Sequence, residues 1–201
     1  MLEQIFTISF LTAFLTAAVR MAVPLIYAGL GETFLERTGI LNIGMEGVML
    51  GGALFSFAGA LLSGSLAVGL VCGMLGGLAV SAIHGFLCIN LSQNQSVSGI
   101  ALNIFMLGLT SFLYKILTAG QSYQDIETIP TMAIPVLSSI PLVGNAFFNQ
   151  DILTYLVYLL VILAVFFYTK TGAGLAFTAV GEHPRAADAA GIPVYKYQWI
   201  G

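Results

Sequence analysis

Long apolar runs and short polar connectors alternate along the whole chain. The runs cover about residues 5–30, 40–62, 66–91, 97–117 and 152–169, and a sixth begins at Tyr197, close to the last residue, Gly201. Each of the first five approaches or exceeds the ~20 apolar residues that carry a helix across a bilayer. The connectors differ in character. Residues 31–38 are short and charged, 63–65 form a Ser-Gly-Ser turn, and 92–96 are polar but uncharged. Residues 119–151 form a long connector with Pro130, Pro135 and Pro141, and 170–196 are the most charged stretch of all. The pattern predicts an all-α polytopic transmembrane helix bundle with five full spans and the start of a sixth.

Composition turns that pattern into a statement about solvent. Hydrophobic residues make up 58% and charged residues 7%, with a mean hydropathy of +0.97. A soluble domain carries about 25% charge. So few charges cannot cover a water-facing surface, so the lipid bilayer is the main solvent. The net charge of -3 says little about nucleic acid, but the chain has no basic run, so nucleic acid is not expected as a partner. Cys72 and Cys88 lie in apolar stretches and form no metal-ligand pattern, and no cofactor is expected. The opening MLEQIF has no basic region, which reads as a retained first span rather than a cleaved signal.

The placement of Lys and Arg sets an orientation. The 119–151 connector contains Asp125, Glu127 and Asp151 but no Lys or Arg, whereas 170–196 contains Lys170, Arg185 and Lys196, and 31–38 contains Arg37. The last two therefore read as cytoplasmic, and alternation puts the N-terminus outside. Lys115 pulls the other way, at the outer end of the fourth run, where it can snorkel beside Tyr114.

Small and polar residues inside the runs point to a packed bundle. Gly69, Gly73, Gly77, Ser81 and Gly85 form an unbroken i, i+4 series in the third run, and Gly47 and Gly51 repeat it in the second. Such stripes let helix backbones approach closely. Charges within spans are costly and tend to be functional. Arg20 stands four residues before Pro24, which is expected to kink the first span. Asn42 and Glu46, spaced i, i+4, are expected on one face of the second span. They either line a solute pathway or lock the first two spans, with Glu46 paired to Arg20 or Arg37. Asn94 and Asn103 belong to a second polar group, and Asn103 must either bond another helix or face a wet cavity. His84 reads as a satisfied residue near a membrane interface.

Residues 179–193 are unlike the rest of the chain. His183 and Pro184 resemble a helix start, Arg185 to Ala190 are mostly helix formers, and Gly191 is a stop signal. A helix of about two turns is too short to stand alone in water, which suggests docking onto a partner. The run Gly-Glu-His-Pro-Arg-Ala-Ala-Asp-Ala-Ala-Gly-Ile resembles the cytoplasmic coupling loop of ABC importer permeases, in the branched-chain amino acid, simple sugar and nucleoside group. Gly-Ile-Leu-Asn-Ile-Gly-Met-Glu-Gly at 39–47 resembles that family's opening of the second span, and Ser-Val-Ser-Gly-Ile-Ala-Leu-Asn at 96–103 resembles a further family segment.

The resemblance implies a permease without catalytic residues. Glu182, His183, Pro184, Arg185, Ala186, Asp188 and Gly191 would form the contact with an ATP-hydrolysing subunit. The chain itself has no Gly-x-x-x-x-Gly-Lys-Ser/Thr loop. The implied partners are an ABC ATPase subunit, a longer sister permease, and a substrate-binding lipoprotein or periplasmic protein. The implied solutes are nucleosides or simple sugars. His183 stands where the family often has Asn, and both can cap a helix. Family permeases carry further spans beyond this loop, so a truncated chain is expected. The alternative is an ion-coupled secondary transporter, which would need a better-developed set of intramembrane carboxylates and broken helices. No Ser/His/Asp or metal-ligand set supports a membrane enzyme.

Overall fold

The computed structural model describes residues 7–119, 128–141 and 143–201. The fold is all-α and polytopic. Five helices among the described residues are long and apolar enough to cross a membrane: Ile8–Glu36, Met45–Ser63, Leu66–Asn90, Gln95–Thr118 and Ile152–Lys170. We call these α1, α2, α3, α4 and α6. The short helix Val143–Phe148 is α5, and Gly172–Glu182, Pro184–Ala189 and Val194–Ile200 are α7, α8 and α9. The last five residues of α3, Phe86–Asn90, form a π-turn. The sixth run expected from Tyr197 falls inside α9. The expected start of the first span at residue 5, and the Asp125 and Glu127 part of the long connector, lie outside the described residues.

The chain divides into two compact units, one drawn from Met1–Leu30 and Ile129–Lys170, the other from Gly31–Thr128 and Thr171–Gly201. In the first unit, α1 runs through Pro24 without a break in helical assignment. Proline has no N–H to give to the Arg20 carbonyl, so that one bond is missing from the helix ladder. The long connector is not a bare loop. Thr131–Ala133 (β1) pairs antiparallel with Asn149–Asp151 (β2), Thr131 opposite Asp151 and Ala133 opposite Asn149. Fully buried Gln150 holds this hairpin to its surroundings. Its Nε2 donates to the Ala146 carbonyl at 2.6 Å, and its backbone N–H donates to the Tyr155 hydroxyl, which in turn donates to the Met132 carbonyl at 2.7 Å. Asp151 then caps α6 by accepting the Thr154 N–H at 2.9 Å.

The second unit is organised by glycines. A Cβ on Gly69 would come within 2.8 Å of the Ala60 side chain, and one on Gly73 within 2.8 Å of the Ser56 Cβ. Gly69, Gly73 and Gly77 of the α3 stripe therefore lie on α2, where Gly52, Ser56 and Ala60 answer them, while Gly85 faces Trp199. With mostly small side chains at these positions the two backbones approach closely and gain dispersion contact. Gly51 admits the side chains of Val80 and Met106, which with Leu102 form the buried cluster joining α2, α3 and α4.

Candidate functional site

The feature that organises the second unit is a short non-helical strap between α1 and α2. The C-terminus of α1 is closed by a Schellman motif. Gly39 sits at φ +83°, its N–H donates to the Glu36 carbonyl at 2.9 Å, and the Ile40 N–H donates to the Leu35 carbonyl at 3.3 Å. Ile40 is buried, as the hydrophobic residue after such a cap usually is. Residues 40–44 then run outside any helix to Met45.

This corrects the sequence expectation for the second span. It begins at Met45 rather than near residue 40, so Asn42 and Glu46 do not share a helix face. Asn42 is buried in the strap, with its N–H on Glu32 Oε1 at 2.8 Å. Glu46 lies exposed in the first turn of α2, where the partial positive charge of the helix N-terminus favours a carboxylate. Among the described residues Glu46 makes no hydrogen bond or ion pair, so it is not joined to Arg37, one of the two partners that the locking alternative allowed.

The strap is clamped from α4. Gln95 Oε1 accepts the Leu41 N–H at 2.8 Å, and Gln95 Nε2 donates to the Gly39 carbonyl at 3.5 Å. Two turns further on, Asn103 Oδ1 accepts the Gly47 N–H at 2.7 Å and Asn103 Nδ2 donates to the Ile43 carbonyl at 2.9 Å. The first N–H groups of a helix have no partner within it. Gly44 at the N-cap has no side chain to offer one. Asn103 therefore caps α2 from a neighbouring helix, and its amide is satisfied by helix contact rather than by a wet cavity. Gly99 makes the approach possible, since a Cβ there would lie 2.7 Å from the Gly44 nitrogen.

On its other side the strap meets α7. A Cβ on Gly181 would lie 2.5 Å from the Arg37 carbonyl oxygen and 3.1 Å from the Gly39 nitrogen. Phe177 is buried edge-on against both Phe34 and Tyr197, with centroids 6.1 and 5.1 Å apart. Arg37 Nη1 donates to Thr178 Oγ1 at 3.4 Å. The three motifs at 39–47, 96–103 and 181–192 are thus contact partners, with the strap in the middle.

Beyond Gly181 the short helix α8 runs Pro184–Ala189, with Pro184 at its first position. A second Schellman motif ends it. Gly191 has φ +84°, its N–H donates to the Asp188 carbonyl at 2.9 Å, and the Ile192 N–H donates to the Ala187 carbonyl at 3.0 Å. Ala187 is buried, whereas Glu182, His183, Pro184, Arg185, Ala186, Asp188 and Gly191 are all exposed. The His183 side chain makes no cap hydrogen bond, contrary to expectation.

The remaining polar candidates have structural partners. Asn94 is exposed rather than buried, and its Oδ1 caps α4 by accepting the Ser96 and Val97 N–H groups at 3.0 and 3.1 Å. In the first unit, exposed Arg20 donates from Nε to Gln150 Oε1 at 3.4 Å, close to the start of α6. His84 is fully buried, with Nε2 3.5 Å from Cys88 Sγ. Sequence reasoning missed Glu32 and Gln95 as holders of the strap. A glutamine directly after a capping asparagine was the visible signal for the latter, while Glu32 offered none. A cleft of about 370 Å³ opens between α2 and α4, away from the strap, lined by Leu50, Ala53, Leu54, Phe57, Thr110, Ser111 and Tyr114. Phe57 and Tyr114 pack at 5.3 Å in its wall, and no lining side chain is charged.

Residues 14–201 match the family described as branched-chain amino acid transport system / permease component. The chain belongs to this permease family. Among similar curated proteins, a putative glucose ABC transporter permease of Haloferax volcanii is 40% identical over 196 residues, covering 96% of this chain and 58% of the relative. A nucleoside ABC transporter permease of Lactococcus lactis is 37% identical, covering 89% and 58% respectively. A guanosine ABC transporter permease of Bacillus subtilis is 36% identical, covering 96% and 63%. The chain therefore spans about 60% of the length of these relatives. No solved structure matches it.

Proposed function

We propose that the chain forms part of the membrane-spanning permease subunit of an ATP-driven importer for nucleosides or simple sugars. The observation that carries this reading is the exposed polar face of α8, set on Ala187 and Gly191 and linked by α7 to the strap between the first two spans. A helix of six residues is too short to persist alone in water and is held here by Pro184 at its first position, by the Schellman motif at its end and by α7. It offers Glu182, His183, Arg185 and Asp188 as the surface for an ABC ATPase subunit, which binds and hydrolyses the ATP. The permease subunit has no catalytic role in that reaction. The strap end is cytoplasmic and the N-terminus outside, on the distribution of Lys and Arg. A sister permease and a substrate-binding lipoprotein or periplasmic protein complete the assembly. Relatives named for guanosine, nucleosides and glucose support neutral solutes. The uncharged cleft between α2 and α4 suits such solutes better than a zwitterion, whose two charges would lie there unpaired.

The test is uptake by the complete transporter in proteoliposomes. Arg185→Glu and Gly191→Trp are expected to abolish uptake and weaken co-purification of the ATPase while membrane insertion persists. Retention of both ATPase binding and uptake in both variants would refute the assignment of α8.

A further inference from the structure

We infer that Gly181 and Gly39 form the joint through which displacement of α8 reaches α2 and α4. The inference rests on the proposed role of α8 and extends it to residues outside the docking surface.

The linkage has little slack at either end. Only His183 separates α7 from α8, and it is bonded on both sides: its N–H donates to the Ala179 carbonyl at 3.0 Å, and its carbonyl accepts the Ala187 N–H at 2.9 Å. A push on α8 therefore moves the C-terminal turn of α7. That turn meets the strap backbone to backbone. Gly181 approaches Arg37 and Gly39, and a Cβ on Gly39 would in turn lie 3.4 Å from the Gly181 Cα. No side chain stands between the two main chains to absorb movement by changing rotamer.

The next bonds lead into the spans. The Gly39 carbonyl and Leu41 N–H are both held by Gln95, in the first turn of α4. Glu32 of α1 holds Asn42, and Asn103 holds Ile43 and Gly47. Five backbone groups of a nine-residue segment (39–47) are thus tied to side chains of the two flanking helices. Shifting the strap shifts the N-termini of α2 and α4 together, and these same helices line the 370 Å³ cleft further along their length. Packed interfaces of this kind move between discrete arrangements rather than deforming smoothly. Gly181 and Gln95 are positioning residues that act through the strap.

The measurement is solute transported per ATP hydrolysed by the complete transporter in proteoliposomes, with ATPase co-purification read in parallel. Gly181→Ala forces a methyl group against the Arg37 carbonyl. The expected result is an ATPase bound as in wild type and a transport ratio reduced about five-fold or more. Gly172→Ala is the control on the same helix, where an added Cβ meets nothing within 4 Å, and it should leave the ratio unchanged. Gln95→Met removes both amide contacts without touching α8 and should lower the ratio in the same way. It decides the question if Gly181→Ala does not assemble. A wild-type ratio in Gln95→Met, or in an assembled Gly181→Ala, overturns the joint. Arg185→Glu separates the two levels. If it abolishes ATPase binding while the joint variants stay coupled, α8 docks the ATPase but the joint is wrong; if it leaves binding and uptake intact, the role of α8 itself fails.

Discussion

Asn103 offers a direct measure of what one amide contributes when it caps a helix from outside. Replacing it with Ala removes the acceptor for the Gly47 N–H, 2.7 Å away, and the donor to the Ile43 carbonyl, 2.9 Å away. Loss of an N-cap costs about 1 kcal/mol. A carbonyl left without its partner costs roughly another 1 kcal/mol. Interhelical hydrogen bonds within bilayers average about 0.6 kcal/mol each, which sets the lower bound for the pair near 1.2 kcal/mol. The expected loss is therefore about 1–2 kcal/mol, or roughly 2–8 °C in the thermal midpoint of a domain this size. Asn103→Asp keeps the acceptor and loses only the donor, and its charge lies beside a helix N-terminus that favours it. It should fall about midway between wild type and Ala. The assay is thermal denaturation of the purified permease followed by size-exclusion chromatography. An Ala variant within about 1 °C of wild type would refute the capping argument, as would an Asp variant no better than Ala.

Three further outcomes follow from the packing and the caps. Gly73→Leu would drive a side chain into Ser56 and the Gly52 carbonyl, and should cost about 1–3 kcal/mol in denaturant unfolding by forcing α2 and α3 apart. Gly108→Leu, with nothing within 4 Å of the added Cβ, should change stability by no more than about 0.5 kcal/mol. Asp151→Ala removes the cap on Thr154 and should cost about 1 kcal/mol, with increased hydrogen exchange confined to the first turn of α6.

The five spans were legible because hydropathy reports burial in lipid, and the helices fall within a few residues of the apolar runs at most ends. The start of α2 was not. Ile40, Leu41 and Ile43 extend the apolar run, and hydropathy does not distinguish an apolar residue in a helix from one in a strap. Gly39, after the last polar turn of α1, was the available stop signal. The charged connector misled for the converse reason. The charge of residues 31–38 reads as a connector, but α1 continues through Glu32 and Glu36, and Glu32 is committed to the Asn42 N–H. The β1–β2 hairpin escaped notice because Thr-Met-Ala and Asn-Gln-Asp have neither alternation nor strong strand propensity. Its stability comes from the contacts of Gln150 across the fold, which local pattern does not report. The α8 motif was legible as a short capped helix, whereas the placement of 39–47, 96–103 and 181–192 against one another depends on contacts distant in sequence.

The two closing glycines of α1 and α8 carry a consequence for chirality. At φ +83° and +84° the backbone occupies the region natural to a mirror-image residue. An L-alanine there suffers the clash of its Cβ with the carbonyl, a cost of roughly 1–2 kcal/mol. A D-alanine would meet no such clash, and would also restrict the unfolded chain more than glycine does. Around Gly191 the space is open, whereas at Gly39 the site faces the Gly181 backbone. The genetic code supplies only one achiral residue, so Gly191 is fixed by handedness alone, and Gly39 by handedness and proximity together. A semisynthetic chain with D-alanine at 191 would separate these two constraints, since only handedness is relieved there.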